Sequence, residues 1–304
     1  MPGWGDVLHE IEVSETNHDL VRRKYLKKLA SLTGRNVIAY YSGWLQFPQA
    51  RDLEISDNDM NGFMETVHGL DRSRGLDLLI HTPGGSISAA ESIVGYLHEM
   101  FDGDIRAIVP QLAMSAGTMI ACATKEILMG KESSLGPTDP QVTIRTTTGY
   151  QSIPALAILE EFEQAREECI KDPSKMNFWH PILSQYHPGL IIMLQNSVAL
   201  SQDFTTKWLK ENMFQFEENR DVIVDNIVNS LCNNKDTKEH GRHLSAKKCK
   251  DIGLKITMLE DNQELQDAVL TVHHAYTLTL GATNAIKIIE NHNGSAFMTH
   301  ANKV

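Results

Sequence analysis

The sequence predicts an α/β fold with a largely parallel sheet. Strand and helix patterns alternate from residue 36 to residue 130, which argues for right-handed crossovers. The strand patterns are mostly unbroken apolar runs, as expected of a sheet covered on both faces. Two small-residue loops, Thr82–Ser86 and Gln111–Ser115, fall after strands, where such sheets hold their ligands.

Each element has its own signal. Residues 1–35 read as a helical N-terminal extension. Leu20, Tyr25, Leu26 and Leu29 lie near helical spacing, with a basic, solvated face of Arg22, Arg23, Lys24, Lys27 and Lys28. Thr33-Gly34 closes it like a helix C-cap. Asn36–Tyr41 is a strand of β-forming residues, followed by a helix over Asp57–Leu70. Leu76–His81 is a second strand, and it stops abruptly at Thr82-Pro83-Gly84-Gly85. Ser88–Phe101 is a helix with Ala89, Ile93, Leu97 and Met100 on one face. Ile105–Pro110 and Glu126–Gly130 are further strands, flanking a small-residue helix over Met114–Ala123.

Past residue 150 the chain turns helical, with an apolar stripe of Ile158, Phe162, Ala165 and Cys169, then a helix over Gln195–Met213. Asn233–Asp236 reads as a loop, Ser245–Ile252 as a short helix and Leu254–Ile256 as a brief strand. Leu265–Ile289 reads as a helix, and the polar tail from Asn291 as frayed. The expected division is an extension over 1–35, a catalytic-type domain over 36–260, and a C-terminal helix and tail over 261–304.

Two segments carry possible chemistry. In His81-Thr82-Pro83-Gly84-Gly85-Ser86, adjacent glycines permit close backbone approach, so their N–H groups can face a cleft and stabilise an oxyanion. The same residues also make an ordinary tight turn. In Ala113-Met114-Ser115-Ala116-Gly117-Thr118, a serine stands between strand and helix. That is the logic of a nucleophile elbow, and equally of a helix N-cap.

Taken together, Leu79-Ile80-His81-Thr82-Pro83-Gly84-Gly85 and Ala113-Met114-Ser115-Ala116-Gly117-Thr118 resemble the serine dehydrogenase proteinases, relatives of Clp protease and signal peptide peptidase A. Ser134–Gln141 and Leu244–Leu254 continue the resemblance, which spans about residues 35–260. It implies a Clp-protease/crotonase-like stack of ββα units with a largely parallel sheet and helical extensions at both ends. It implies Ser115 as nucleophile, the N–H groups of Gly85 and Ala116 as oxyanion donors, and an extended peptide added beside Gly84, Gly85 and Ser86. A peptide or protein substrate, a homo-oligomer, and a separate unfoldase or membrane partner also follow from it.

The base is less legible. Where Clp protease has its histidine, this chain reads Gly136-Pro137-Thr138-Asp139-Pro140. Signal peptide peptidase A uses a Ser-Lys dyad, in which desolvation lowers the lysine pKa toward neutrality so that the free amine can act as base. The candidates are Lys175, favoured for the apolar aromatic stretch after it, and Lys171. Both also read as surface lysines. Asp139 is a third candidate, as a polar partner or as a bystander.

The remaining composition narrows the alternatives. The chain has 304 residues, 41% hydrophobic and 22% charged, with net charge -11. Such a surface disfavours nucleic acid. No apolar run reaches about 18 residues, and Met1–Val13 is no secretory signal. Scattered Cys122, Cys169, Cys232 and Cys249 fit a reducing, cytoplasmic setting, with no metal or other cofactor. The histidines, including His180, His187, His240 and His243, show no metal-ligand spacing. A crotonase-like acyl-CoA enzyme and an inactive scaffold are the competing readings.

Overall fold

The computed structural model describes residues 3–13, 18–146, 149–232 and 239–301; the loop expected at Asn233–Asp236 lies outside them. Helices α1 (Trp4–Val13) and α2 (His18–Thr33) precede β1 (Asn36–Ser42). Then follow α3 (Asp59–Val67), β2 (Leu76–His81), α4 (Ile87–Phe101), β3 (Ile105–Val109), the short β4 (Leu112–Ala113), α5 (Ala116–Cys122), β5 (Ile127–Met129) and β6 (Ser134–Leu135). A hairpin, β7 (Gln141–Thr146) and β8 (Gly149–Pro154), leads into α6 (Ala155–Lys171), α7 (Met176–Leu183), α8 (Leu190–Trp208) and α9 (Arg220–Cys232). The chain closes with β9 (Leu244–Ser245), α10 (Ala246–Asp251), β10 (Ile256–Met258), α11 (Gln263–Ala282), β11 (Ala285–Asn291) and β12 (Ala296–His300).

Seven strands form the main sheet, in the order β10-β5-β3-β2-β1-β11-β12. The first five run parallel; β11 is antiparallel to β1 and to β12. This is a mixed α/β architecture with a mostly parallel central sheet. Side chains alternate between the faces, as the strand period requires. In β1, Ile38 and Tyr40 join the core under α3, α4, α5, α8 and α9. Val37, Ala39 and Tyr41 join the core under α1, α2 and α11.

Within the expected N-terminal helical extension, α2 packs closely on the rest, with Val21, Leu26 and Leu29 buried against α11 and the sheet. The C-terminal end differs from expectation in its elements. The expected helix over Leu265–Ile289 ends at Ala282, and Ala285–Asn291 enters the sheet as a fully buried strand. Its β-branched Ile286, Ile288 and Ile289 favour strand. Its polar residues are paired internally. Lys287 Nζ donates to Asp59 Oδ1 at 2.8 Å and to the Glu54 carbonyl at 2.7 Å. Glu290 accepts from Arg22 Nε, Arg23 Nε and the Tyr276 hydroxyl. The tail from Asn291 is likewise ordered up to His300 as β12.

The hairpin and α6–α8 project as an arm with its own small core of Ala155, Ile158 and Leu194. Phe204 and Trp208, at the far end of α8, return to the main core.

The Lys287–Asp59 pair is almost wholly buried. Removing one partner strands the other charge away from water. Lys287→Met is expected to cost about 3–5 kcal/mol in urea unfolding; a loss within experimental error would show that the pair is not a structural tie.

Candidate active site

The site begins where β2 ends. Thr82 and Ala113 form a parallel bridge: Thr82 N–H donates to the Leu112 carbonyl and Met114 N–H to the Thr82 carbonyl, both at 3.0 Å. This bridge brings the glycine loop and the serine loop together. Gly84 has φ of 102°, and a Cβ there would lie 2.6 Å from Ser115 Cβ and 3.1 Å from Ala116 N. The missing side chain is the space over Ser115 and the first N–H of α5.

Ser115 itself sits at φ 50°, ψ -118°. A non-glycine residue there stores strain, and such strain gathers at functional sites. Its hydroxyl makes no capping hydrogen bond, and it is half-buried. The helix-cap reading therefore fails on geometry. The serine is held at a sharp corner with its hydroxyl uncommitted.

The two main-chain donors expected at the site stand in these loops. Gly85 bridges Ile55 in parallel: Ile55 N–H donates to the Gly84 carbonyl at 2.7 Å, and Ser86 N–H to the Ile55 carbonyl at 2.9 Å. In a parallel bridge of this pattern, the N–H of Gly85 itself points away from Ile55. Neither Gly85 N–H nor Ala116 N–H has a hydrogen-bond partner among the described residues. Of the residues expected to bind substrate, Gly84 and Ser86 have one main-chain group each engaged within the chain. Ile55 already uses the Gly84 carbonyl and the Ser86 N–H, and Ser86 Oγ caps α4 by accepting from Ala89 N–H. A cleft of about 810 Å³ opens beside them, lined by Trp44, Ile55, Pro83, Gly85 and Ser86 among others.

Neither candidate lysine is in the environment a lysine base requires. Lys175 is half exposed and donates to Glu168 Oε2 at 3.3 Å. Lys171 is 77% exposed, beside Glu167 at 3.7 Å. Both lie on the arm, solvated and next to carboxylates, and neither bonds Ser115.

A second small sheet brings other titratable groups to the end from which Ser115 emerges. β4 pairs parallel with β6 (Ala113 with Leu135), and β6 pairs antiparallel with β9 (Leu135 with Leu244). Ser115 follows β4, Asp139 follows β6, and His240 precedes β9. All three therefore leave the sheet at the same end. Thr118 Oγ1 ties the loops, lying 2.8 Å from the Ala113 carbonyl and accepting from Gly136 N–H at 2.9 Å. Asp139 is 1% exposed, and its Oδ1 lies 2.9 Å from Nδ1 of the half-buried His240. The other ring nitrogen, Nε2, has no partner among the described residues.

Sequence reasoning left His240 in a list of histidines without ligand spacing. The available signal was its place just ahead of Leu244-Ser245-Ala246, a segment already singled out, together with the acidic Asp139 where a histidine was sought. No group of three or more His, Cys, Asp or Glu among the described residues could hold a metal ion, and no helix among them is long and apolar enough to cross a membrane.

A strained serine at the head of a small helix, beside a glycine loop at the end of a parallel sheet, belongs to the class of serine-hydrolase folds. Comparison with known proteins narrows the class. A family model described as ClpP-like SDH-type serine proteinase matches residues 8–291, and the chain belongs to that family. Two uncharacterised proteins of Methanocaldococcus jannaschii are similar to it. One is 34% identical over 128 residues, covering 40% of this chain and 44% of that protein's length. The other is 25% identical over 273 residues, covering 88% and 80%. Among solved structures, a mutant of a membrane-bound stomatin-specific protease aligns at 15% identity with a TM-score of 0.40, covering 71% of this chain and 79% of that one.

Below the glycine loop lies a buried histidine pair. His81 packs 4.4 Å from Trp44 and 5.3 Å from His273, ring centre to ring centre. Burial pushes His273 down to about 3. Burial, then the neighbouring His273, hold His81 well below the usual histidine value, and the Leu112 backbone offsets this only in part. Neither His81 ring nitrogen makes a well-formed hydrogen bond. The unfolded chain takes up protons on both rings near pH 6.5 that the folded chain refuses. Their contribution is therefore complete above pH 6.5 and is lost as pH falls below it, at about 1.4 kcal/mol per pH unit for each ring. Urea unfolding between pH 5 and 6 should show a slope in His81→Leu smaller than in the wild type by one proton's worth; an equal slope would mean that His81 is charged in the fold.

Proposed function

We propose that this chain is a serine peptidase in which Ser115 attacks, His240 is the general base and Asp139 orients it. The observation carrying this reading is the buried Asp139–His240 contact at the end of the small sheet where Ser115 also emerges. Family membership supports the reaction class.

The chemistry follows from the geometry. His240 Nε2 takes the proton as Ser115 Oγ adds to the peptide carbonyl. Asp139 holds Nδ1–H, which fixes the tautomer and stabilises the imidazolium that forms. The carbonyl oxygen becomes an oxyanion, met by the N–H groups of Gly85 and Ala116. Their freedom from internal partners suits them to that task, and the α5 N-terminus adds partial positive charge. His240 returns the proton to the departing amine, leaving Ser115 acylated. It then takes a proton from water as the water oxygen attacks the ester, and gives that proton to Ser115 Oγ as the acyl–oxygen bond breaks, releasing the acid and restoring the serine.

The peptide lies in the cleft beside Gly85. Homo-oligomerisation is part of the proposal, supported by apolar side chains exposed on the arm, among them Met176, Phe178 and Ile192. A cytoplasmic setting is also proposed. No specific observation favours the acyl-CoA alternative: the buried carboxylate at this site is already engaged by His240.

Labelling with a fluorophosphonate tests the assignment. Ser115→Ala should abolish it. His240→Ala should slow it by roughly 10²-fold or more, while Lys175→Ala and Lys171→Ala should label like the wild type. Loss of labelling in a lysine variant, with His240→Ala unaffected, would replace this base with a Ser-Lys dyad.

A further inference from the structure

Asp139 has a second partner, the half-buried Gln141. Gln141 Nε2 donates to Asp139 Oδ2 at 2.8 Å, while the Asp139 carbonyl lies farther away at 3.5 Å. The amide is thus aimed at the carboxylate rather than at the turn's backbone. Each carboxylate oxygen has one protein donor: His240 on Oδ1 and Gln141 on Oδ2.

The backbone explains how a side chain reaches back two positions. Pro140 stands between the two residues, and its ring fixes φ. The Pro140 carbonyl accepts from Ala155 N–H at 2.9 Å, and Gln141 pairs with Pro154 at the base of the β7–β8 hairpin. The first residue of the hairpin is therefore clamped, and its amide with it.

We infer that Gln141 is a positioning residue, holding Asp139 Oδ2 so that Oδ1 faces His240. The inference rests on the serine-peptidase reading above. Without this donor, Oδ2 would be a buried acceptor left unsatisfied, a costly arrangement. The carboxylate could relieve it by turning about its Cβ–Cγ bond, at the expense of its alignment with Nδ1. A neutral amide suits the task. It orients the carboxylate without cancelling the negative charge that stabilises the imidazolium, as a lysine or arginine would. The hairpin that carries Gln141 is a two-stranded ribbon, a form marginal by itself, so the arm's order and the base's alignment are linked through one side chain.

The test is the rate of fluorophosphonate labelling of the full-length chain from pH 5 to 9, for the wild type, Gln141→Met and Asp139→Asn. Gln141→Met keeps length and shape but lacks the donor. It should label about tenfold more slowly. Its acid limb should move to lower pH, because a carboxylate turned away from Nδ1 stabilises the protonated imidazole less. Asp139→Asn should fall at least about a hundredfold. If Gln141→Met matches the wild type in rate and limb while Asp139→Asn falls, the inference fails and the triad stands. A slower rate with an unmoved limb would mean a merely structural role, and also overturns it. If Asp139→Asn is unchanged, the triad reading itself is wrong. Should Gln141→Met not fold, Gln141→Glu serves in its place. Its added charge should slow labelling and raise the limb, and a wild-type rate and limb would overturn the inference.

Discussion

At the carboxyl end of β2 the chain passes so close to Ser115 that residue 84 has no room for a side chain. The Thr82–Ala113 bridge imposes that approach, and the rest of the site follows from it. A Cβ at Gly84 would collide with Ser115 and with the Met114 carbonyl. A Cβ at Gly117 would strike Thr82 at 2.4 Å. Glycine on both sides lets the two loops share one wall. That closeness holds Ser115 in a conformation few residues adopt, and it leaves the Ala116 N–H facing open space.

The second constraint is the three-stranded sheet of β4, β6 and β9. It is short, with two residues per strand. Its role is to bring three chain segments, distant in sequence, to a common end. Thr118 and Ser201 secure the middle segment: Thr118 bonds Gly136, and Ser201 Oγ donates to the Thr138 carbonyl at 2.7 Å. Asp139 is thereby buried at a fixed position, and a buried carboxylate needs donors on both oxygens. His240 and Gln141 supply them. The proposed catalytic pair and the packing of the loop thus satisfy one electrostatic demand.

Much of this was legible in the residues. Unbroken apolar runs identified the parallel strands, and the Pro-Gly-Gly and Met-Ser-Ala-Gly loops identified the two halves of the site. What failed has physical causes. Lys287 and Glu290 are polar residues in a fully buried strand, and nothing local shows that their partners, Asp59 and Arg22, lie more than two hundred residues away in sequence. Lys175 looked buried beside Phe178 and Trp179, but Phe178 itself faces solvent. Glu168 engages both Lys175 and the Trp179 ring nitrogen on the arm's surface. His240 was missed because its meaning is conferred by β9 pairing, a long-range contact without a sequence period. The pairing of Ile55, from the loop before α3, with the Gly84 carbonyl and the Ser86 N–H is likewise a contact without a local signal.

The account depends on one spatial relation, between the Ser115 hydroxyl and the free nitrogen of His240. A crystal structure of the fluorophosphonate-inhibited protein measures it directly. The account predicts phosphorus bonded to Ser115 Oγ, the phosphoryl oxygen held between Gly85 N–H and Ala116 N–H, and His240 Nε2 within about 3 Å of Ser115 Oγ. A lysine amine in that place, with the imidazole turned away, would contradict it.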